Sequence, residues 1–294
     1  MAEVKSDPVE RPEFERPSLG KANTTDVARP LSMFEKISNI DPVRKFTVLL
    51  SAIVVWELYT RIAKVPPLIF PTFSDTIVAL WKAFTDYGLA SQIWASVGIL
   101  LAGYVIGLAI GATLSFVAVS SRFGSDILGT LTSMLNPLPA VALLPLAMIW
   151  FGLGAKSLIF VLLHSIVWPV ALNTHTGFMS VAEPLRMVGR NYGLRNIRYV
   201  AKLLIPATFP SILAGLKLGW AFAWRTLIAA ELVFGAAAEG GGLGWFIFAS
   251  RNEMDIPGAF AGLLTVILIG FFVENVIFRN IEQRTLVRWG MQSS

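Results

Sequence analysis

Three ionisable residues interrupt one long apolar run late in the sequence: Lys217, Arg225 and Glu231. A charge at mid-depth in a bilayer costs roughly 2.5–3.5 kcal/mol, so such a side chain faces a cavity or a partner. Lys217, Trp224 and Glu231 are spaced by seven and share one helical face, while Arg225 points about 100° away from Trp224. Beside a water-filled path, Arg225 would meet an anionic solute. The alternative is a structural arginine satisfied by carbonyls or by a glutamate from elsewhere, such as Glu274. Lys217 has a stem long enough to snorkel to an interface.

Other chemistry is excluded residue by residue. His164, Trp168, Leu172 and His175 form one stripe at helical spacing, which reads first as packing and second as the lining of a path. Two histidines without nearby carboxylates make no metal site. The chain has no cysteine, so disulfides, thiolate metal sites and cysteine nucleophiles are all ruled out. Gly152-x-Gly154-Ala155-Lys156-Ser157 only imitates a phosphate loop, because no glycine directly precedes the lysine. Gly240-Gly241-Gly242-Leu243-Gly244 reads as a flexible turn. No nucleophile and base are placed together and no H-E-x-x-H occurs. Catalytic residues are therefore not expected, and neither is ATP hydrolysis by this chain.

The elements that must position these residues are membrane helices. Of 294 residues, 55% are hydrophobic and 15% charged, against about 25% charged in a soluble domain. Apolar runs of roughly 20 residues, the length that crosses a hydrocarbon core, separate the charges. Six spans are predicted, at 46–62, 93–119, 128–151, 157–179, 209–234 and 259–278, in an all-α membrane protein. Ile77, Leu80, Trp81 and Phe84 share a face of an amphipathic stretch over 74–87, expected to lie along the outer surface. The net charge of +5 follows from basic residues collecting in cytoplasmic loops rather than from nucleic-acid binding.

Eleven basic residues flank the spans on one side (Arg44, Lys45, Arg122, Arg186, Arg190, Arg195, Arg198, Lys202, Arg279, Arg284, Arg288) and four on the other (Lys64, Lys82, Lys156, Arg251). Both termini are therefore expected in the cytoplasm. Residues 1–45 hold eight Lys/Arg, eight Asp/Glu and five prolines without an apolar run, the composition of a disordered tail. Residues 46–281 form the transmembrane domain, and 282–294 a second cytoplasmic tail.

Packing signals are local. Gly103, Gly107, Gly111 and Ser115 make a seam at four-residue spacing, and Gly215 and Gly219 repeat the device. Asn136-Pro137-Leu138-Pro139, followed by Pro145, removes backbone donors from the third span, whose freed carbonyls need protein or water. A wet, bent channel liner and an ordinary proline kink both fit.

The loop 180–206 holds more than a connector needs. Glu183-Pro184 starts a helix. Leu185, Val188 and Tyr192 share one face, Arg186 and Arg190 another, and Gly193 ends it in a left-handed turn. A second short helix sets Ile197, Val200 and Leu204 against Arg195, Arg198 and Lys202, and Pro206 closes it. From the residues alone, this is a membrane-surface segment or a docking site for a cytoplasmic partner.

This loop resembles the coupling motif of ABC-importer permeases, E-A-A-x3-G-x9-I-x-L-P. Gly193 takes the glycine, nine residues follow, and Leu203-Leu204-Ile205-Pro206 stands for I-x-L-P, while the E-A-A slot holds Met187-Val188-Gly189. Arg190-Asn191-Tyr192-Gly193, the run Leu144–Gly152, Ala223-Trp224-Arg225, Ala230-Glu231 and Gly241–Gly244 are similar to the branch for nitrate, taurine, alkanesulfonates and bicarbonate. The likeness runs from about residue 46 to the C-terminus. It implies a type I ABC-importer permease bundle in a bacterial inner membrane. A second permease copy, two ATP-binding cassette ATPases and an external substrate-binding protein would complete the complex. ATP would be bound by the partners, and no cofactor by this chain. The implied coupling residues are Glu183, Leu185, Arg186, Val188, Gly189, Arg190, Asn191, Tyr192, Gly193 and Pro206. Candidate pathway residues are Asn136, Pro137, Pro139, His164, Trp224, Arg225 and Glu231. The cargo implied is a small anion such as a sulfonate, taurine or nitrate. The rival class is a secondary transporter driven by an ion gradient, but half-to-half repeats are missing and intramembrane carboxylates are few.

Overall fold

The computed structural model describes residues 41–234 and 241–287. Of the tail expected at 1–45, residues 1–40 lie outside the described residues, as do Gly240 of the glycine run and 288–294 with Arg288, whereas 41–45 are helical. The chain divides into two units, 1–55 and 56–294, and the division falls inside the first helix.

All regular elements among the described residues are helical. Helix α1 is Asp41–Ile62, α2 is Phe73–Thr85, α3 is Leu89–Ser120, and α4 is Arg122–Leu135. Helices α5 (Leu144–Phe151), α6 (Ala155–Ser180) and α7 (Glu183–Asn191) follow. Next, α8 (Asn196–Tyr199) runs through a π-helical turn, Val200–Leu204, into α9 (Ile205–Ala207). Helices α10 (Phe209–Phe234), α11 (Leu243–Asn252) and α12 (Ile256–Phe272) complete the bundle, and α12 continues as π- and α-helical turns to Val287.

Among the described residues, four helices are long and apolar enough to cross a membrane: α3, α6, α10 and α12 with its continuation. A fifth span arises if the bent pair α4–α5 counts as one. Here the third expected span departs from a single kinked helix. Its halves meet at 88°, because the prolines at 137 and 139 break the ladder where a helix would continue. Helix α1 covers the first expected span, but its 22 residues include Asp41, Arg44, Lys45, Glu57 and Arg61, and it falls short of the same test.

Within the second unit, α6 is the central helix. Its Leu162, Ile166 and Val170, spaced by four, seat over Gly103, Gly107 and Gly111 of α3. A Cβ on Gly107 would stand 2.8 Å from Ile166 Cγ2, and one on Gly103 3.0 Å from Leu162 Cδ1. Small residues thus let the two backbones close, as the seam predicted. Gly215 of α10 does the same against Asn173 on another side of α6, where a Cβ would sit 2.9 Å from Asn173 Cβ. Ser115 Oγ donates across the first seam to the Ala171 carbonyl at 3.1 Å, and Tyr104 Oη to the Leu216 carbonyl at 2.8 Å.

Near the start of the unit, Trp56 packs at tilted and edge-on angles among Phe70, Phe73 and Phe260 and donates to the Pro71 carbonyl at 3.0 Å. Glu57 accepts from the Ser74 hydroxyl at 2.7 Å and its amide at 3.1 Å. The start of α2 is thereby tied to the end of α1. Thr72 caps α2 by accepting from the Asp75 amide at 3.0 Å. Helix α2 packs against α12.

Candidate functional site

Three clusters carry the polar chemistry. The first is the segment Glu183–Ala207. Pro184 sits in the first turn of α7, and Gly193 takes φ +71° past its end, a conformation that costs an ordinary residue roughly 1–2 kcal/mol. Nothing lies within 4 Å of a Cβ built on Gly193, so backbone conformation alone explains the glycine. Gly189 is different. It is buried, and a Cβ there would run into Leu203 Cδ1, which locks α7 onto the π-helical turn.

Arg186 donates from Nε to the Val181 carbonyl at 3.0 Å and from Nη2 to the Phe178 carbonyl at 2.6 Å, anchoring α7 to the last turn of α6. Glu183 lies 3.7 Å from Arg190 and 4.0 Å from Arg186. The remaining side chains face outward: Leu185, Met187, Val188, Asn191 and Tyr192 are exposed, Tyr192 at 83%. Pro206 sits in α9, which Thr208 caps before α10 begins. An apolar strip rimmed with arginine on a short rigid helix is the anatomy of an interaction surface.

The second cluster surrounds Arg225. A cavity of about 400 Å³ is lined by Asn136, Pro139, His164, Ser165, Arg225 and Thr226 among others. The 88° bend sets the 136–141 segment against α6 and α10, so the broken third span forms one wall. Arg225 is exposed to the cavity, donates from Nε to the Ala221 carbonyl at 3.1 Å, and lies 5.1 Å from the Phe222 ring centroid. Its terminal N–H groups remain available, and among the described residues it has no ion pair. Glu274, the partner weighed from sequence, instead lies 3.9 Å from Lys217 Nζ.

His164 Nδ1 accepts from Trp168 Nε1 at 3.2 Å, so its Nε2 carries the proton toward the Leu138 carbonyl, also at 3.2 Å. The ring therefore braces the proline segment. Ser165 and Thr226 share a hydrogen bond of 2.9 Å beside it. Pro137 is exposed in the same bend but does not line this cavity.

The third cluster lies on the face predicted for Lys217, Trp224 and Glu231, which is the face of α10 turned to α11 and α12. Lys217 pairs with Glu282 at 2.9 Å. Trp224 is buried and donates to the Val266 carbonyl at 3.3 Å. Glu231 is 2% exposed; its Oε2 accepts from the Gly244 amide at 2.8 Å. Both of its carboxylate oxygens lie within 2.9 Å of Ser96 Oγ, which itself accepts from the Leu243 amide at 2.8 Å. Glu231 and Ser96 therefore cap α11 from two other helices. Neither Trp224 nor Glu231 lines the Arg225 cavity.

Sequence reasoning missed α11, Ser96 and Glu282. The glycine run suggested only a turn, yet Gly244 is helical, and a Cβ on it would sit 2.6 Å from Glu231 Cβ. A buried glutamate signals that partners exist, but nothing local names a serine far away in the chain.

Comparison with known proteins places this architecture. A family model described as "binding-protein-dependent transport system inner membrane component" matches residues 103–287. An ABC transporter permease protein of Methanocaldococcus jannaschii is 30% identical over 86% of this chain and 94% of its own length. The nitrate import permease protein NrtB of Synechocystis is 30% identical over 84% of this chain and 90% of its own. A protein named as an aliphatic sulfonates transport permease, SsuC, of Escherichia coli is 26% identical over 81% and 88%.

Proposed function

The chain belongs to the family of binding-protein-dependent transport system inner membrane components, the permeases of ABC importers, and on that premise we propose how it works. Residues 46–281 form the transmembrane domain, with both termini and the 180–206 loop in the cytoplasm of a bacterial cell. Two copies line one path across the inner membrane, two ATP-binding cassette ATPases dock on the loops, and an external binding protein delivers the solute. The chain itself binds no cofactor, holds no catalytic residue and contacts no nucleic acid.

The observation that carries this reading is α7. It is a short stiff helix anchored at one end by Arg186, hinged at the other by Gly193, with Leu185, Met187, Val188 and Tyr192 exposed. Closure of an ATPase pair against that strip would move α7. Gly189 packed on Leu203 passes the movement to the π-helical turn and on toward α10.

The cargo is a small anion such as nitrate or a sulfonate, including taurine. Arg225 supports this choice, since its free guanidinium edge faces a cavity that also presents Asn136, Ser165 and Thr226. Charge-assisted hydrogen bonds from such a fork suit an oxyanion.

Gentle detergent purification of the tagged chain from its host tests the assembly. An ATP-binding cassette ATPase recovered at equal copy number is the expected result. A stable chain recovered without any ATPase would overturn it in favour of gradient-driven transport.

A further inference from the structure

A second basic cavity lies at the root of the loop, behind α7. It has a volume of about 550 Å³, and its walls include Ser120, Arg186, Arg190, Arg195, Asn196 and Tyr199. Glu183, between Arg186 and Arg190, is the one acidic group paired with these arginines among the described residues. Arg195 is exposed and has no carboxylate within ion-pair distance there. The cavity therefore has surplus positive charge.

Two local features set this wall apart. Among the described residues the buried Tyr199 hydroxyl has no hydrogen-bond partner, a bond that native structures seldom leave unmade. Asn196, on the same wall, sits at φ +49°, and the chain then enters a π-helical turn, a form concentrated at functional sites.

The cavity also shares two walls, Phe116 and Val200, with a second one of about 360 Å³. That neighbour runs between the spans α3, α6 and α10 and is nearly all apolar, lined by Leu108, Ala112, Val170 and Leu216 among others. A basic chamber at the end of the spans opens beside an apolar groove between them. An ordinary soluble anion would use only the chamber, and a neutral lipid only the groove.

We propose that these adjoining cavities bind one anionic phospholipid, its phosphate among Arg186, Arg190 and Arg195 and an acyl chain along the Ala112 groove. Basic pockets between spans on the cytoplasmic side suit such headgroups, and this leaflet assignment rests on the orientation proposed above. Because Arg186 and Arg190 also belong to α7, the bound lipid would brace the loop against the bundle.

The test is native mass spectrometry on the full, delipidated chain in detergent, titrated with phosphatidylglycerol, phosphatidylcholine of the same chain length, or inorganic phosphate. Phosphatidylglycerol is expected to bind about tenfold more tightly than phosphatidylcholine. Arg195→Gln should weaken it about fivefold, the effect of one basic residue near an anionic surface. Ala112→Trp, which fills the groove, should weaken both lipids while its circular dichroism stays that of the wild type. Equal affinity for the two lipids would overturn the proposal. So would inorganic phosphate displacing phosphatidylglycerol at equal concentration, which would mark a simple anion site. Lipid retained by monomers and expelled from dimers would assign the groove to a second copy instead. The measurement needs neither ATP nor a partner, so its failure is separable from failure of the transport reading.

Discussion

The hydroxyl of Ser96 stands 2.8 and 2.9 Å from the two carboxylate oxygens of Glu231, and the pair closes over the first amides of α11. Removing one member leaves buried groups unpaired. Glu231→Ala should cost about 1–3 kcal/mol for each buried donor it leaves without an acceptor, the Ser96 hydroxyl and the Gly244 amide. Glu231→Gln, which keeps an acceptor oxygen, should cost about 1–3 kcal/mol. Thermal unfolding in detergent should rank wild type, Gln, then Ala. An alanine variant melting with the wild type would refute the capping role.

The α3–α6 seam makes a position-specific prediction. A Cβ on Gly107 would meet Ile166 at 2.8 Å, whereas one on Gly98 of the same helix meets nothing within 4 Å. Gly107→Ala should therefore destabilise by about 1–3 kcal/mol through overpacking. Gly98→Ala should be neutral or stabilising by about 0.5–1 kcal/mol through helix propensity. Matching losses at both positions would remove the seam from the account.

Gly193 separates conformation from contact. Its φ is +71° and the space around it is open. Gly193→Asn, which tolerates the left-handed region, should keep ATP-coupled uptake, while Gly193→Val should lower it at least about tenfold because a β-branched residue resists positive φ. ATP hydrolysis and uptake measured on the same vesicles would show the two uncoupled. Normal coupled transport in the valine variant would defeat the hinge argument.

Arg225 should govern anion uptake without holding the complex together. Arg225→Ala is expected to cut uptake about tenfold or more, the scale of a lost charge-assisted contact, while the subunits still co-purify. Arg225→Lys should recover only part of the rate, since a point charge replaces a fork. Unchanged uptake in the alanine variant would return Arg225 to a structural role.

Much of this arrangement was legible because its signals are local. Four apolar helices, the Gly103–Gly107–Gly111 seam and the turn at Gly193 follow from composition and spacing. The 88° bend did not, since prolines reveal where donors are missing but not the angle that results. Helix α11 was hidden by its own glycines, which read as a turn although Gly244 is small so that α10 can approach. The seven-residue spacing put Lys217, Trp224 and Glu231 on one face, yet their partners Glu282, Val266 and Ser96 come from elements that only the fold brings near.

In the proposed mechanism this chain moves an anion on the energy of ATP hydrolysed by a partner. Uptake of labelled nitrate or sulfonate into proteoliposomes, holding the chain with its ATPase and supplied with the binding protein outside, tests it most directly. The expected uptake requires ATP inside the vesicles, stops when the ATPase is left out, and ignores a protonophore. Uptake by the chain alone, driven by an ion gradient and abolished by the protonophore, would contradict it.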